Sequence, residues 1–146
     1  LFPGDQRAAR LARQTVLLSE LLARDGTLSV SLGDSAAVVH GHCHHKSVLG
    51  FSAERAVLDR TGVQYRVLDS GCCGMAGAFG FEAAHYDVSL QVGERVLLPA
   101  VRAAAPDALI VADGFSCREQ IQQVTGRPAL HLAQVLRRGL RQDTSV

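Results

Sequence analysis

The chain has 146 residues, of which 47% are hydrophobic and 20% charged, with a formal net charge of +1. That is enough for one ordinary domain that buries roughly two-thirds of its unfolded surface without disulfides, and the near-neutral balance offers no basic footprint for nucleic acid. The longest apolar run, Val16 to Ala23, is broken by Ser19 and Glu20 and falls far short of the roughly 18 residues of a membrane span.

The first predicted element is a helix opened by Gly4-Asp5, with Asp5 as N-cap and Ala8, Leu11, Thr15, Leu18 and Leu22 on one stripe. It ends at Arg24-Asp25-Gly26, and residues 26–35 read as a surface loop. Three copies of one plan follow. In the first, strand Ala36 to His40 leads through the loop Gly41 to Lys46 into a helix from Ser47 to Arg60, stopped near Gly62. In the second, strand Tyr65 to Asp69 leads through Ser70 to Met75 into a helical region reaching Ala105, which Gly93 and Pro99 kink or divide. The third places strand Ala108 to Asp113, loop Gly114 to Ser116 and helix Cys117 to Val124 before the break at Gly126 and Pro128 and a last helix, His131 to Arg138. Apolar strands alternating with helices predict an α/β fold: a three-layer βαβαβα unit with a parallel sheet and an extra N-terminal helix. A three-stranded sheet has open edges, so further strands or a partner are expected to cover one.

Each of the four cysteines falls just beyond one of these strands: Cys43 after the first, Cys72 and Cys73 after the second, Cys117 after the third. Right-handed crossovers put the three strand ends on one edge of the sheet, where open α/β folds bind their ligands. Thiols distant in sequence would then meet. Each cysteine is expected to precede or enter a helix N-terminus, where backbone N–H groups favour thiolate, the form that binds iron or zinc. Glycines 41, 71, 74, 77, 80 and 114 allow the backbone to pass close to an inorganic centre. His42, His44 and His45 flank Cys43 and are open to three roles: ligand, donor to the ligands, or solvated loop residue. The absence of a charged-then-apolar leader suggests a reducing compartment, in which cysteines bind metals or catalyse more often than they pair.

Adjacent Cys72 and Cys73 suit a multi-iron cluster better than a structural zinc ion, whose ligands usually come in C-x₂₋₄-C pairs. Three other readings stay open: a structural zinc site in a binding module, metal-free thiol–disulfide catalysis, disfavoured by the lack of C-x-x-C, and cysteines that are merely small buried apolar residues. A strained vicinal disulfide is the least favoured.

Cys43, Cys72-Cys73-Gly74 and Cys117, in this order, resemble the CCG or cysteine-rich domain found in heterodisulfide reductase and in the glycolate oxidase iron–sulfur subunit. The wording is most similar to the C-terminal domain of FAD-linked D-2-hydroxyacid dehydrogenases, through His40-Gly41-His42-Cys43-His44, Asp69 to Gly77, Glu94 to Pro99 and Ala112 to Ile121. It covers nearly the whole chain, read as a single domain over 1–146. The resemblance implies an iron–sulfur centre, of 4Fe-4S type, held by Cys43, Cys72, Cys73 and Cys117, with His42, His44, Gly74 and Arg118 around it. It implies an enzyme that oxidises a D-2-hydroxyacid such as lactate or 2-hydroxyglutarate at a flavin and passes electrons through such centres, with FAD and ferredoxin-like domains as upstream partners. Neither of those domains is legible here: the chain has no C-x₂-C-x₂-C-x₃-C run, and glycines 74, 77 and 80 are not in dinucleotide-fingerprint order. The fragment is therefore expected to hold the second of two cysteine repeats of a larger protein, not catalytic alone. Its expected location is the cytoplasm, meeting the inner membrane only through an electron acceptor. One position departs from the family pattern: the C-x-x-C that often closes such domains has Gly114 in its first place, leaving Cys117.

Overall fold

The computed structural model describes residues 2–140. Four parallel strands, β1 (Ala36–His40), β2 (Gln64–Val67), β3 (Leu109–Ala112) and β4 (Ala129–Leu130), form one sheet in the order β2-β1-β3-β4. The α/β expectation holds: helices cover both faces, making three layers. The fourth strand is new. It pairs through Ile110↔Ala129 and Val111↔Leu130, and two residues between Pro128 and His131 are too few to show a strand period.

Alternate residues of the central strands feed two apolar cores, as a sheet covered on both sides requires. Ala37, Val39 and Val111 pack with Val57, Leu58, Leu132, Val135 and Leu136 on one face. Val38, Ile110 and Ala112 pack with Leu97, Val101 and Ile121 on the other, and this second core also contains Cys73, Met75 and Cys117. The first face is built on α2 (Leu18–Asp25), α4 (Ser52–Arg60) and α8 (Leu132–Leu140), the second on α6 (Leu97–Ala103) and α7 (Phe115–Thr125).

Three predicted helices are each two. The N-terminal one divides into α1 (Gln6–Gln14) and α2. Asp5 caps α1 as expected, its carboxylate accepting the Arg7 N–H at 2.8 Å. At the break, both the N–H and the hydroxyl of Thr15 donate to the Leu11 carbonyl at 2.9 Å, and the Glu20 carboxylate accepts the Leu17 N–H at 2.7 Å. These local bonds satisfy the two new helix ends and turn the chain. The expected apolar stripe does not extend through α1, which buries no residue.

The helix expected from Ser47 to Arg60 is α3 (Cys43–Val48) and α4, separated at Gly50, whose φ is 79°. The region towards Ala105 contains two 3-10 turns (Phe79–Phe81 and Ala83–His85), then α5 (Tyr86–Glu94) and α6. Its break lies at Arg95-Val96, not at Gly93 or Pro99. Pro99 sits in the first turn of α6, where its missing N–H costs nothing. Gly93 answers to packing: a Cβ there would lie 2.9 Å from the Cys73 carbonyl oxygen.

Candidate metal centre

The parallel register sets Val39 beside Val67 and His40 beside Ala112, so the C-terminal ends of β1, β2 and β3 share one edge. From β1 the chain turns through Gly41-His42 to Cys43, the first residue of α3. From β3 it turns through Asp113-Gly114 into α7, whose third residue is Cys117. The helix-terminus expectation fails for Cys72 and Cys73, which lie in a loop several residues before the first 3-10 turn.

That loop supplies N–H groups by another route. Gly74, Ala76 and Gly77 all have positive φ, at 103°, 43° and 70°, a winding that turns successive backbone N–H groups inward as an anion-binding concavity. The Gly74 N–H donates to Cys72 Sγ at 3.3 Å. The Met75 and Ala76 N–H groups favour the Cys73 thiolate, and that of Ala76 also favours the Cys72 thiolate. Gly74 is confined from the other side as well. A Cβ on it would lie 2.0 Å from the Ser89 carbonyl oxygen, and Gln120 Nε2 donates to that same oxygen at 3.2 Å. The buried Ser89–Gln120 pair thus forms a floor beneath the cysteine loop, tying α5 to α7.

The four thiols interact. Hydrogen bonding with Cys117 brings the Cys73 thiol down to about 6 against the opposing effect of burial, with the Met75 and Ala76 N–H groups contributing in the same direction. Cys117 is pushed far up, first by that same bond, then by burial and by the charges of Cys73, Cys43 and Cys72. Cys72 is also raised, chiefly by burial, with the Gly74 N–H opposing. Left to themselves, the thiols favour one thiolate, on Cys73, and hold protons on its buried neighbours. A cation among them would remove that restraint and let the set ionise.

Other contacts fix the loops that bear the cysteines. Buried His40 at the end of β1 contacts the Ser70 hydroxyl through Nδ1 at 2.7 Å, and Lys46 of α3 donates to the Ser70 carbonyl. Together they tie the Cys43 helix to the Cys72 loop. Burial, followed by the charges of Lys46 and His42, brings His40 down to about 4, so it is neutral near pH 7.

His42 is half-buried beside the cysteine edge, with its imidazole lowered chiefly by burial. A Cβ at position 114 would meet His42 Cδ2 at 2.5 Å and Cys117 Sγ at 2.9 Å. Gly114 therefore leaves room for an imidazole against the Cys117 thiol, where a side chain would collide. His44 is exposed. Arg118 donates to the Ala112 and Asp113 carbonyls at 3.1 and 2.6 Å, which ties α7 to the end of β3.

His40, Lys46, Ser89 and Gln120 were not singled out by sequence reasoning. Ser89 and Gln120 carry no local signal, because their partnership spans 31 residues. Glu54 was also missed, although it shares a helical face with Val57 and Leu58, three and four positions on.

Comparison with known proteins finds similarity to segments of longer proteins. The chain is 36% identical over 98 residues to D-2-hydroxyglutarate dehydrogenase of Escherichia coli K12, covering 66% of the chain and 10% of that protein. It is 34% identical over 82 residues to the enzyme of the same name from Pantoea ananatis, covering 56% of the chain and 8% of the relative. A component of the anaerobic glycerol-3-phosphate dehydrogenase of E. coli K12 is 33% identical to it over 105 residues, covering 68% of the chain and 26% of that component. The chain thus spans about a tenth of the first two relatives and about a quarter of the third. No family model matches it, and no solved structure does. The relatives are, by name, dehydrogenases or a component of one, and the chain is similar to a segment of each. Among the described residues no helix is long and apolar enough to cross a membrane.

Proposed function

We propose that this chain is an iron–sulfur electron-transfer module of a larger flavin-dependent dehydrogenase of the D-2-hydroxyacid type, with Cys43, Cys72, Cys73 and Cys117 as ligands to a cluster of 4Fe-4S type. The observation that carries the reading is that the segments bearing the four cysteines all leave one sheet edge, with Cys73 and Cys117 together in one apolar core. The donor set fits. Two adjacent cysteines reach separate irons of a cluster more readily than they share one tetrahedral zinc, and the inward N–H groups of Gly74, Met75 and Ala76 suit anionic sulfur. When bound, the cluster supplies one-electron carrying capacity, which lets a two-electron oxidation at flavin be drained in single steps.

The protein's own contribution is to set the potential and exclude solvent. Cys73 and Cys117 are 3% and 1% exposed; such burial, and N–H donors aimed at sulfur, are the variables that tune a cluster. His42 stands beside Cys117, where it stabilises anionic sulfur, and Gly114 keeps that place open. The relatives support the reading from a different direction: proteins named for hydroxyglutarate and for glycerol phosphate share this segment. Enzymes with different substrates need different substrate pockets, but both must dispose of electrons. In this reading the FAD and ferredoxin-like domains lie elsewhere in the parent protein or complex, in the cytoplasm, with any membrane contact made through the acceptor.

The hydrogen bonding between the free thiols of Cys73 and Cys117 gives a metal-free dithiol reading one point in its favour. Burial counts against it, since a redox thiol must be reached by its partner. Anaerobic purification followed by iron, sulfide and zinc analysis distinguishes the readings. The expected result is iron with acid-labile sulfide, falling by at least three-quarters in Cys73→Ser and Cys117→Ser variants that retain native circular dichroism. Stoichiometric zinc without sulfide, or metal-free protein in the anaerobic parent, overturns the proposal.

A further inference from the structure

A second cluster of ligating groups lies behind the cysteine edge. His45 of α3, Glu54 of α4 and Asp113 at the end of β3 each place one ligand atom so that the three lie within 4.8 Å of one another. Glu54 is only 1% exposed, and its Oε2 has no hydrogen-bond partner. Among the described residues no Lys or Arg pairs with either carboxylate. The group instead combines two adjacent acids with an imidazole. Asp113 is held in place by the Leu132 N–H, which donates to its Oδ1 at 2.8 Å, and His131 Nε2 lies 3.8 Å from that oxygen. His45 is steadied against Phe51, ring centroids 5.5 Å apart. A cleft of about 230 Å³, lined by Leu17, Leu18, Ser19, His42 and His131 among others, opens the His45 and Asp113 side of the cluster to solvent.

We propose that His45, Glu54 and Asp113 form a second metal site, separate from the cysteines, for a divalent cation that takes nitrogen and oxygen ligands, of the Zn²⁺ or Mn²⁺ class. One imidazole and two carboxylates are a donor set such ions accept. The orphaned Glu54 oxygen gains a partner, and the two carboxylates gain the positive charge they lack. On binding, the proton on the Glu54 carboxyl leaves to solvent, and two metal–oxygen bonds and one metal–nitrogen bond form as the hydrated ion sheds the waters they replace. No electron changes hands. The ion would join α3, on which Cys43 is mounted, to α4 and to the end of β3, from which the chain leads into α7 and Cys117, and so act as a clamp behind the cysteine edge.

Mn²⁺ is the probe of choice, because thiolates select softer ions while imidazole and carboxylate accept it. Titration of the anaerobically purified full chain, followed by the electron paramagnetic resonance of free Mn²⁺, is expected to show one bound equivalent. Glu54→Gln, which preserves volume, and His45→Ala are each expected to weaken binding at least tenfold. Leu11→Ser, on the exposed helix α1, is expected to leave it unchanged. No saturable binding at millimolar Mn²⁺ overturns the proposal, as does binding that survives both ligand variants. If Glu54→Gln fails to fold, His45→Ala alone decides, since its side chain is partly exposed.

Discussion

Gly74 is the residue on which the cysteine loop is most sharply constrained. Its φ of 103° is one that side chains rarely adopt, and an added Cβ would lie 2.0 Å from the backbone oxygen of Ser89, an atom that cannot swing away as a side chain can. Gly74→Ala is therefore expected to cost roughly 3 kcal/mol. In a thermal melt that should appear as a loss of about 6–12 °C, with displacement of the N–H that bonds Cys72 Sγ.

Glu54 gives a second prediction at this scale. Burial, reinforced by the charge and hydrogen bond of Asp113, raises its carboxyl from 4.5 to about 8. Between those values the folded protein holds a proton that the unfolded chain has lost, so the residue's contribution to stability falls as pH rises. Cys73 and His40, both lowered by the fold, titrate in the opposite sense. Comparison with Glu54→Gln isolates the carboxyl from them. With a chelator present, the variant is expected to gain on the wild type by up to about 1.4 kcal/mol per pH unit across that window, as read from urea unfolding.

The cysteines were legible in the sequence because each follows a strand. Glu54 was only half legible: the face it shares with Val57 and Leu58 points to burial, but its pairing with Asp113 depends on long-range placement.

Among the elements, the strands were the most readable: β1 lies where alternation with helices placed it, β2 starts one residue earlier and ends two earlier than expected, and β3 is trimmed by one residue at each end. Helix continuity was less so. Periodicity runs through Thr15 and through residues 49–51, and the breaks depend on side-chain bonds and on one positive-φ glycine that a repeat pattern does not weigh. β4 was invisible for another reason. It is held by Arg127, whose guanidinium donates to the carbonyls of Val101, Ala104, Ala105, Pro106 and Ala108, closing the end of α6 and the turn into β3. Arg127→Ala is expected to destabilise by about 2–3 kcal/mol in chemical unfolding, with little rescue by Arg127→Lys, since an ammonium cannot reproduce the planar fork. By contrast Leu11→Ser, on the face of α1 that packs nowhere in the described residues, should change stability by less than about 0.5 kcal/mol.

At the scale of the whole molecule, the parallel sheet does one thing for function: it gathers chain segments as far as 74 residues apart, from Cys43 to Cys117, onto one edge. The edges of the sheet differ in protection. β4 offers only two residues, while β2 presents Gln64 and Arg66 as exposed positions, polar residues of the kind that discourage pairing with another chain. The three-layer architecture was legible because alternating strands and helices leave few topologies. The interior of the site was not, because sulfur contacts, the glycine loop and the Ser89–Gln120 floor depend on long-range placement.

The most direct test of the cysteine centre is iron K-edge X-ray absorption on anaerobically prepared parent protein. A first shell of sulfur around iron, with an iron–iron scattering path that disappears in Cys73→Ser, is the predicted result. Iron bound only by oxygen and nitrogen, or a spectrum indifferent to the loss of Cys73, would contradict it.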